Sequence, residues 1–456
     1  MRKRAYPADI DALVRDMSRA EPDASRFLRS FDELVDRSVG IVRNLRRERD
    51  YYSDEPKFLC YRADLAPTAS LSDGGYVHAP AEGGRSTHHD RAVVGALFEA
   101  MERYCLSIYR QRDLVRASHA QLESAGRAAL DPVTLSSHEK TRDPAVADAL
   151  RHAPMAWTPG FSYRLRSDIL VPAQSVYLPY VFNEGEPVLR DPLTTGAAAG
   201  LLMGSAVLRG LLEVIERDAI MVTHYRSLSP PRLDLDGRGG GELDWVIQNL
   251  RRYQLDLSLY DIRLDLPVPA VLAKIIDRSG VGPSMTVASK AAFDVHDAVK
   301  GAIFEAACFR RPMRTRLARA RQHATTIFGD LSRINSLESR SYVWIQPEMI
   351  EYLEYLDRSP RGSTAFTDCS ASTPAKVRAL IENVIRTGHD LIVVDVTTSD
   401  VATFGATVVK TIVPGLQPMH LDEQYRTWTR RLLAYGEASE RALPVSALNQ
   451  VPHPFL

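Results

Sequence analysis

Two helices of this chain carry the same acidic signature on an otherwise apolar surface, and that repetition constrains the fold more than any other feature. Phe98-Glu99-Ala100-Met101-Glu102-Arg103 is matched by Leu212-Glu213-Val214-Ile215-Glu216-Arg217. Residues three apart on a helix share a face, so each carboxylate pair points one way, and the Arg four residues after the first Glu can pair with it. A third apolar helix adds Glu305 and Arg310, in the run Ile303 to Arg310. Carboxylates on apolar helices are costly to bury without compensation. Divalent cations, which take hard oxygen ligands and a bridging polyphosphate, supply it. The competing reading is an exposed salt-bridged strip, worth little to stability. Two copies with matched apolar flanks, plus the third Glu/Arg helix, argue against that reading.

The 456 residues hold 57 Lys+Arg against 57 Asp+Glu, a formal net charge of zero. No excess positive charge exists to displace phosphate counterions, so the footprint of a nucleic-acid binder is missing. With 45% apolar and 25% charged residues the chain has the make-up of an ordinary globular protein. Cys60, Cys105, Cys308 and Cys369 show no C-x-x-C spacing, which fits neither a structural zinc site nor a disulfide scaffold. Reduced thiols in a cytoplasmic protein are the expectation, with Cys308 a small buried apolar residue. The N-terminus is charged from the start and lacks a signal-peptide core. The most apolar stretch, Gly196 to Leu208, spans 13 residues, too few to cross a bilayer.

Residues 1 to about 50 read as helical, with apolar positions at helical spacing. A helix is expected from Asp90 as N-cap, with His88 and His89 beside it serving capping and solvent exposure. The run from Ile169 to Val181 reads as strand broken by Pro172. Gly196–Gly200 reads as a small-residue lead into a second helix, able to bring backbone N–H groups near phosphates. Strands are expected at 255–264, 267–277, 390–396 and 407–415, and helices at 294–310 and 374–386. The mixture implies an α+β (mixed α/β) fold with one extended core. We divide it into an N-terminal segment (1–60) packed on the core, a core (61–430) and a C-terminal tail (431–456). No G-x-x-x-x-G-K-[ST] loop, no G-x-G-x-x-G after a strand and no G-x-S-x-G elbow is present.

The stretches GGRSTHHDRAVVGALFEAMERY, VPAQSVYLPY, TTGAAAGLLMGSAVLRGLLEVIERDA, VKGAIFEAACFR and VVKTIVPGLQPMHLD resemble, in order, those of the YcaO proteins. The ending PHPFL is similar to the proline-rich tail of the azoline-forming cyclodehydratases, the D-protein branch of thiazole/oxazole-modified peptide biosynthesis. The resemblance implies an ATP site without a P-loop, with Mg2+ held by Glu99, Glu102, Glu213 and Glu216. It further implies ATP contacts from Arg85, Glu99, Glu213, Glu305 and Arg310. His453 and the terminal Leu456 would reach the active site with the tail. The implied activity is formation of thiazoline or oxazoline rings from Cys, Ser or Thr of a ribosomally made precursor peptide, by phosphorylation of the backbone amide oxygen. Phosphorylation makes that oxygen a good leaving group.

The implied partners are the precursor peptide and a leader-peptide-binding protein, with no nucleic acid and no membrane; the resemblance leaves open a flavin dehydrogenase and a homodimer. Leu201 and Ser205 depart from the family pattern, where an Asn and an acidic residue are common. They favour an alternative: a degenerate scaffold or docking subunit without ATP turnover. A second alternative is a family enzyme that makes a thioamide or amidine. Removal of residues 452–456 is expected to cost ring formation far more than stability.

Overall fold

The computed structural model describes residues 6–19, 31–48, 52–76, 81–234, 240–328, 330–359, 373–437 and 442–455. The elements that build the site are, in chain order, α1 (Ile10–Met17), β1 (Val42–Arg47), β2 (Leu59–Leu65), β3 (Ala81–Ser86), α2 (His89–Leu106), β4 (Val115–Ala117), β5 (Met155–Ser162), β6 (Ser167–Pro172), β7 (Ala197–Gly200) and α3 (Met203–Tyr225). They continue with β8 (Arg232–Leu233), α4 (Gly240–Arg252), β9 (Leu255–Asp261), β10 (Ala270–Asp277), β11 (Met285–Ala291), α5 (Val295–Phe328), α6 (Leu337–Trp344), α7 (Pro374–Arg386), β12 (Ile392–Asp395) and β13 (Thr407–Ile412). All the strand pairings between them are antiparallel.

Three sheets result, in the orders β1-β2-β3, β11-β10-β9-β8 and β4-β5-β12-β13-β7, with β6 paired to β5. This is the mixed helix-and-sheet class expected. Every residue of β13 is buried because its two faces serve different cores: Val409 packs with α3 and α7, and Val408 and Ile412 with α2 and β5. Two glycines set how closely the acidic helices sit on the sheets. A Cβ at Gly84 in β3 would stand 1.9 Å from the Ala92 carbonyl oxygen of α2. One at Gly210 in α3 would stand 2.5 Å from the Gly196 carbonyl oxygen before β7.

Several expectations are corrected. The end of the N-terminal segment is strand β1, not helix, and α1 packs on α3 and α7. The first acidic helix begins at His89 with His88 as N-cap; Asp90 falls in its first turn, where a carboxylate favours the helix dipole. His88 and His89 are exposed, as expected. The Ile169 strand stops at Pro172, where a 3-10 turn begins. Gly196–Gly200 is largely strand β7, held to β13. Helix α5 runs through Pro312 to Phe328, and β11 was not foreseen.

The tail is the largest correction. Pro452 to Phe455 are buried, and Phe455 joins the core built around α3. His453 is fully buried: its Nε2 donates to the His420 carbonyl at 2.6 Å, and its own carbonyl accepts from Arg340 at 2.9 Å. His224 and His420 sit in the same aromatic cluster. Burial, followed by the nearby Arg340, pushes His453 well below its ordinary value, and burial lowers His224 to about 4. Leu456 lies outside the described residues.

Two predictions follow from this packing. Phe455→Ala should destabilise the protein by about 3 kcal/mol, the usual cost of emptying a buried aromatic site, as read by denaturant unfolding; deletion of 452–456 should cost at least as much. Because His224 and His453 titrate below their unfolded value of 6.5, the unfolded chain binds more protons in acid. Their contribution to stability is therefore complete above 6.5 and lost as pH falls toward about 4. Calorimetry across that window should show the melting temperature falling with pH, with a smaller slope in His224→Gln.

Candidate functional site

Helices α2, α3 and α5 converge on one cleft, bordered by β3, β7 and β11. The apolar faces of the helices enter the cores, and their acidic faces are left toward each other. Glu99 and Glu102 come from α2, Glu213 and Glu216 from α3, and Glu305 from α5; Arg85 of β3 faces Glu305 and Glu99. The structure thus brings together six of the residues singled out from the sequence.

Each carboxylate is held differently. Glu216 is 1% exposed and accepts from Ser289 Oγ at 2.8 Å, the Ala291 N–H at 3.1 Å and Arg217 at 2.6 Å. It ties α3 to β11. Glu213 accepts from the Gly196 N–H at 3.2 Å and lies 3.5 Å from Arg217. Glu102 accepts from the Ala199 N–H of β7 at 2.7 Å, and Glu99 pairs with Arg103 at 3.7 Å. The backbone donors of the small-residue strand therefore orient carboxylates.

Negative charge is in excess at the centre. Burial, then Glu99 and Glu213 beside it, push Glu102 up to about 8, against the opposing Ala199 N–H and Arg103. Burial and Glu216 raise Glu305 as well, against Arg217, Arg85 and Lys290. Carboxylates this close cannot all ionise unless a cation or a proton offsets them, and such a set is suited to a metal ion. Among the described residues no three carboxylate, imidazole or thiol groups stand close enough to share one metal ion. That suits Mg2+, which commonly takes one or two carboxylates and completes its shell with phosphate oxygens and water. Glu99, Glu102, Glu213 and Glu305 fit that role; Glu216, with its oxygens already engaged, fits a positioning role.

Two residues expected here are elsewhere. Arg310 is five positions from Glu305 and projects from another side of α5. It is 2% exposed and is taken by Glu55 at 2.8 and 3.0 Å, by Asp277 at 2.6 Å and by the Pro283 carbonyl at 3.1 Å. It fastens α5 to β10 and the 52–57 loop, with no free donor directed at the carboxylates. His453 lies in the aromatic cluster around the tail, facing Arg340, His420 and His224. Sequence reasoning missed Lys290, which faces Glu216 and Glu305 from β11, and Lys410 of β13. A lysine inside the apolar strand Thr407–Ile412 was the available signal for the second.

Comparison with known proteins gives the family and the fold. A family model described as YcaO cyclodehydratase, ATP- and Mg2+-binding, matches residues 83–417, and the chain belongs to the YcaO family. An uncharacterized protein in the tfuA 3′ region of Rhizobium leguminosarum bv. trifolii is 27% identical over 197 residues, 42% of this chain and 44% of its own. A solved heterocyclase in complex with substrate and cofactor has a TM-score of 0.74 at 20% identity, covering 96% of this chain and 58% of that one. YcaO from Methanopyrus kandleri, bound with AMPPCP and Mg2+, has a TM-score of 0.59 at 20% identity, covering 88% and 93%. This chain thus spans less than two thirds of that heterocyclase and of the Rhizobium relative. The family binds ATP and Mg2+. Among the described residues no helix is long and apolar enough to cross a membrane.

The sign of the Glu102 shift gives a test. Folded Glu102 keeps its proton to about 8, whereas its unshifted value is 4.5. Between these the folded state binds more protons, so this contribution to stability is present at lower pH and lost as pH rises through 8. A cation at this carboxylate replaces the proton. The rise in melting temperature caused by Mg2+ with a non-hydrolysable ATP analogue should grow from about pH 6 to about pH 9, and Glu102→Gln should flatten that growth. An unchanged pH profile in the variant would place the ion elsewhere.

Proposed function

We propose that this chain is an ATP- and Mg2+-dependent peptide cyclodehydratase forming thiazoline or oxazoline rings in a ribosomally made precursor peptide. The chemistry is attack of a Cys, Ser or Thr side chain on the preceding amide carbon, transfer of a phosphoryl group to the amide oxygen, and departure of phosphate. ATP and Mg2+, when bound, supply the phosphoryl group and neutralise its charge. The observation that carries the reading is the gathering of Glu99, Glu102, Glu213 and Glu305 from three helices, with Glu102 and Glu305 raised by burial and by their carboxylate neighbours. Glu99, Glu102, Glu213 and Glu305 would hold the ions. Glu216 fixes α3 against β11, and the Gly196 and Ala199 N–H groups aim Glu213 and Glu102. Arg85, facing Glu99 and Glu305, would meet phosphate. The partners we propose are the precursor peptide and a protein that binds its leader; the solved heterocyclase relative was caught with substrate and cofactor.

A docking subunit without turnover is the second reading, favoured by Leu201 and Ser205, which stand where an Asn and an acidic residue are common. Purified protein, a co-expressed precursor peptide and its leader-binding partner separate the two. We expect Mg2+-dependent phosphate release coupled to loss of one water per ring in the peptide mass. Glu213→Gln should abolish both while leaving the fold, because the amide oxygen can still accept from Gly196. Phosphate release without water loss would point to another chemistry on the amide. No release under any partner condition would leave the docking role.

A further inference from the structure

Next to the acidic cleft the charge balance reverses. A cavity of about 40 Å³ lies between the 190–195 segment, α3 and β13, with Arg190, Arg217 and Lys410 in its wall. That volume holds more than a single water. The one acidic residue lining it, Asp191, is occupied: its Oδ2 accepts from the Leu421 N–H at 2.6 Å and the Asp422 N–H at 3.1 Å. Arg217 already pairs with Glu216 and Glu213.

Neither of the other two cations makes an ion pair among the described residues. Lys410 is 2% exposed and, among the described residues, donates to the Leu193 carbonyl alone, at 2.6 Å. Arg190 makes no hydrogen bond or ion pair among the described residues. Ser175 and Thr411, also in the lining, carry buried hydroxyl oxygens without a partner. A buried ammonium and a half-buried guanidinium beside unsatisfied hydroxyls are unfavourable for folding, and a fold keeps such a combination where a ligand completes it.

We propose that the cavity walled by Arg190, Lys410 and Arg217 is a binding site for a phosphate-sized oxyanion. A guanidinium fork and an ammonium both suit phosphate oxygens. Burial lowers Lys410 to about 7, with Arg190 adding to the effect, and burial alone lowers Arg190 to about 10; an anion between them would oppose both shifts. The acidic cleft alongside would hold cations and this cavity the anion. Only the naming of its source rests on the proposed function: the oxyanion is either phosphate after it leaves the amide carbon or the terminal phosphoryl group of the nucleotide.

The test is thermal melting and calorimetric titration of the full chain with inorganic phosphate at constant ionic strength, without ATP. Phosphate should raise the melting temperature above that in matched chloride. Arg190→Gln should weaken phosphate binding about tenfold or more, as loss of a charge-assisted pair predicts. It should leave the phosphate-free protein at least as stable, since an unpaired charge is removed; Ser175→Ala should weaken binding less. The inference is overturned if wild type shows no phosphate-specific shift, or if both variants bind phosphate as wild type does. Repeating the titration with saturating AMPPCP and Mg2+ identifies the source. Retained phosphate binding marks a seat for the departing anion, and its loss marks the nucleotide's own terminal phosphoryl position. Since no arm measures turnover, phosphate binding alongside a failed ring-formation assay would refute the cyclodehydratase reading and not this site.

Discussion

The structure depends on the cost of placing carboxylates where apolar helices meet. Three helices with apolar faces must pack on sheets, and Gly84 and Gly210 let them pack closely. Close packing then forces Glu99, Glu102, Glu213, Glu216 and Glu305 toward one another. The chain meets that cost unevenly. Glu216 has a hydroxyl, a backbone N–H and a guanidinium, so it serves as a fixed link between α3 and β11. Glu102 has one backbone N–H and Arg103 against two carboxylate neighbours, so it is the residue whose charge the fold offsets least. A graded set of this kind separates the side chains that hold the architecture from those that await a ligand.

The same arrangement accounts for a nucleotide family without a glycine-rich phosphate loop. In such loops backbone N–H groups cradle phosphates directly. Here the N–H groups of Gly196 and Ala199 point at Glu213 and Glu102. The backbone orients anions, and those anions are suited to cations that in turn suit phosphate. The small residues of β7 serve packing, and their donors serve the carboxylates; both follow from a strand without side-chain bulk beside a helix.

Much of this was legible in the sequence, because helical periodicity fixes which carboxylates share a face. Glu99 with Glu102, and Glu213 with Glu216, needed only a spacing of three. The limits of the spacing rule appear at Arg310. Five positions from Glu305 it belongs to another side of the helix, and only the buried partners Glu55 and Asp277, far away in the chain, show what it does. The tail misled for a similar reason. PHPFL reads as a proline-rich tail, yet its burial depends on the pocket that α6, the His420 segment and α3 create, which no local pattern reveals. Strand β11 was missed because Met285–Ala291 is buried at all but one position, so the alternation that marks half-buried strands is absent.

A net charge of zero hides a local separation of charge. Lys410 lies close enough to Glu213 to feel it, and one ion pair between them would relieve both the acidic cleft and the cavity beside it. No such pair is made: Glu213 turns to Gly196 and Arg217, and Lys410 to the Leu193 carbonyl. A fold optimised for stability alone would have joined the two, because each buried charge left unmatched costs more than the pairing would. Keeping excess anion on one side of α3 and excess cation on the other preserves two complementary seats a short distance apart. That charge pattern would suit the proposed pairing of metal ions with an oxyanion across α3.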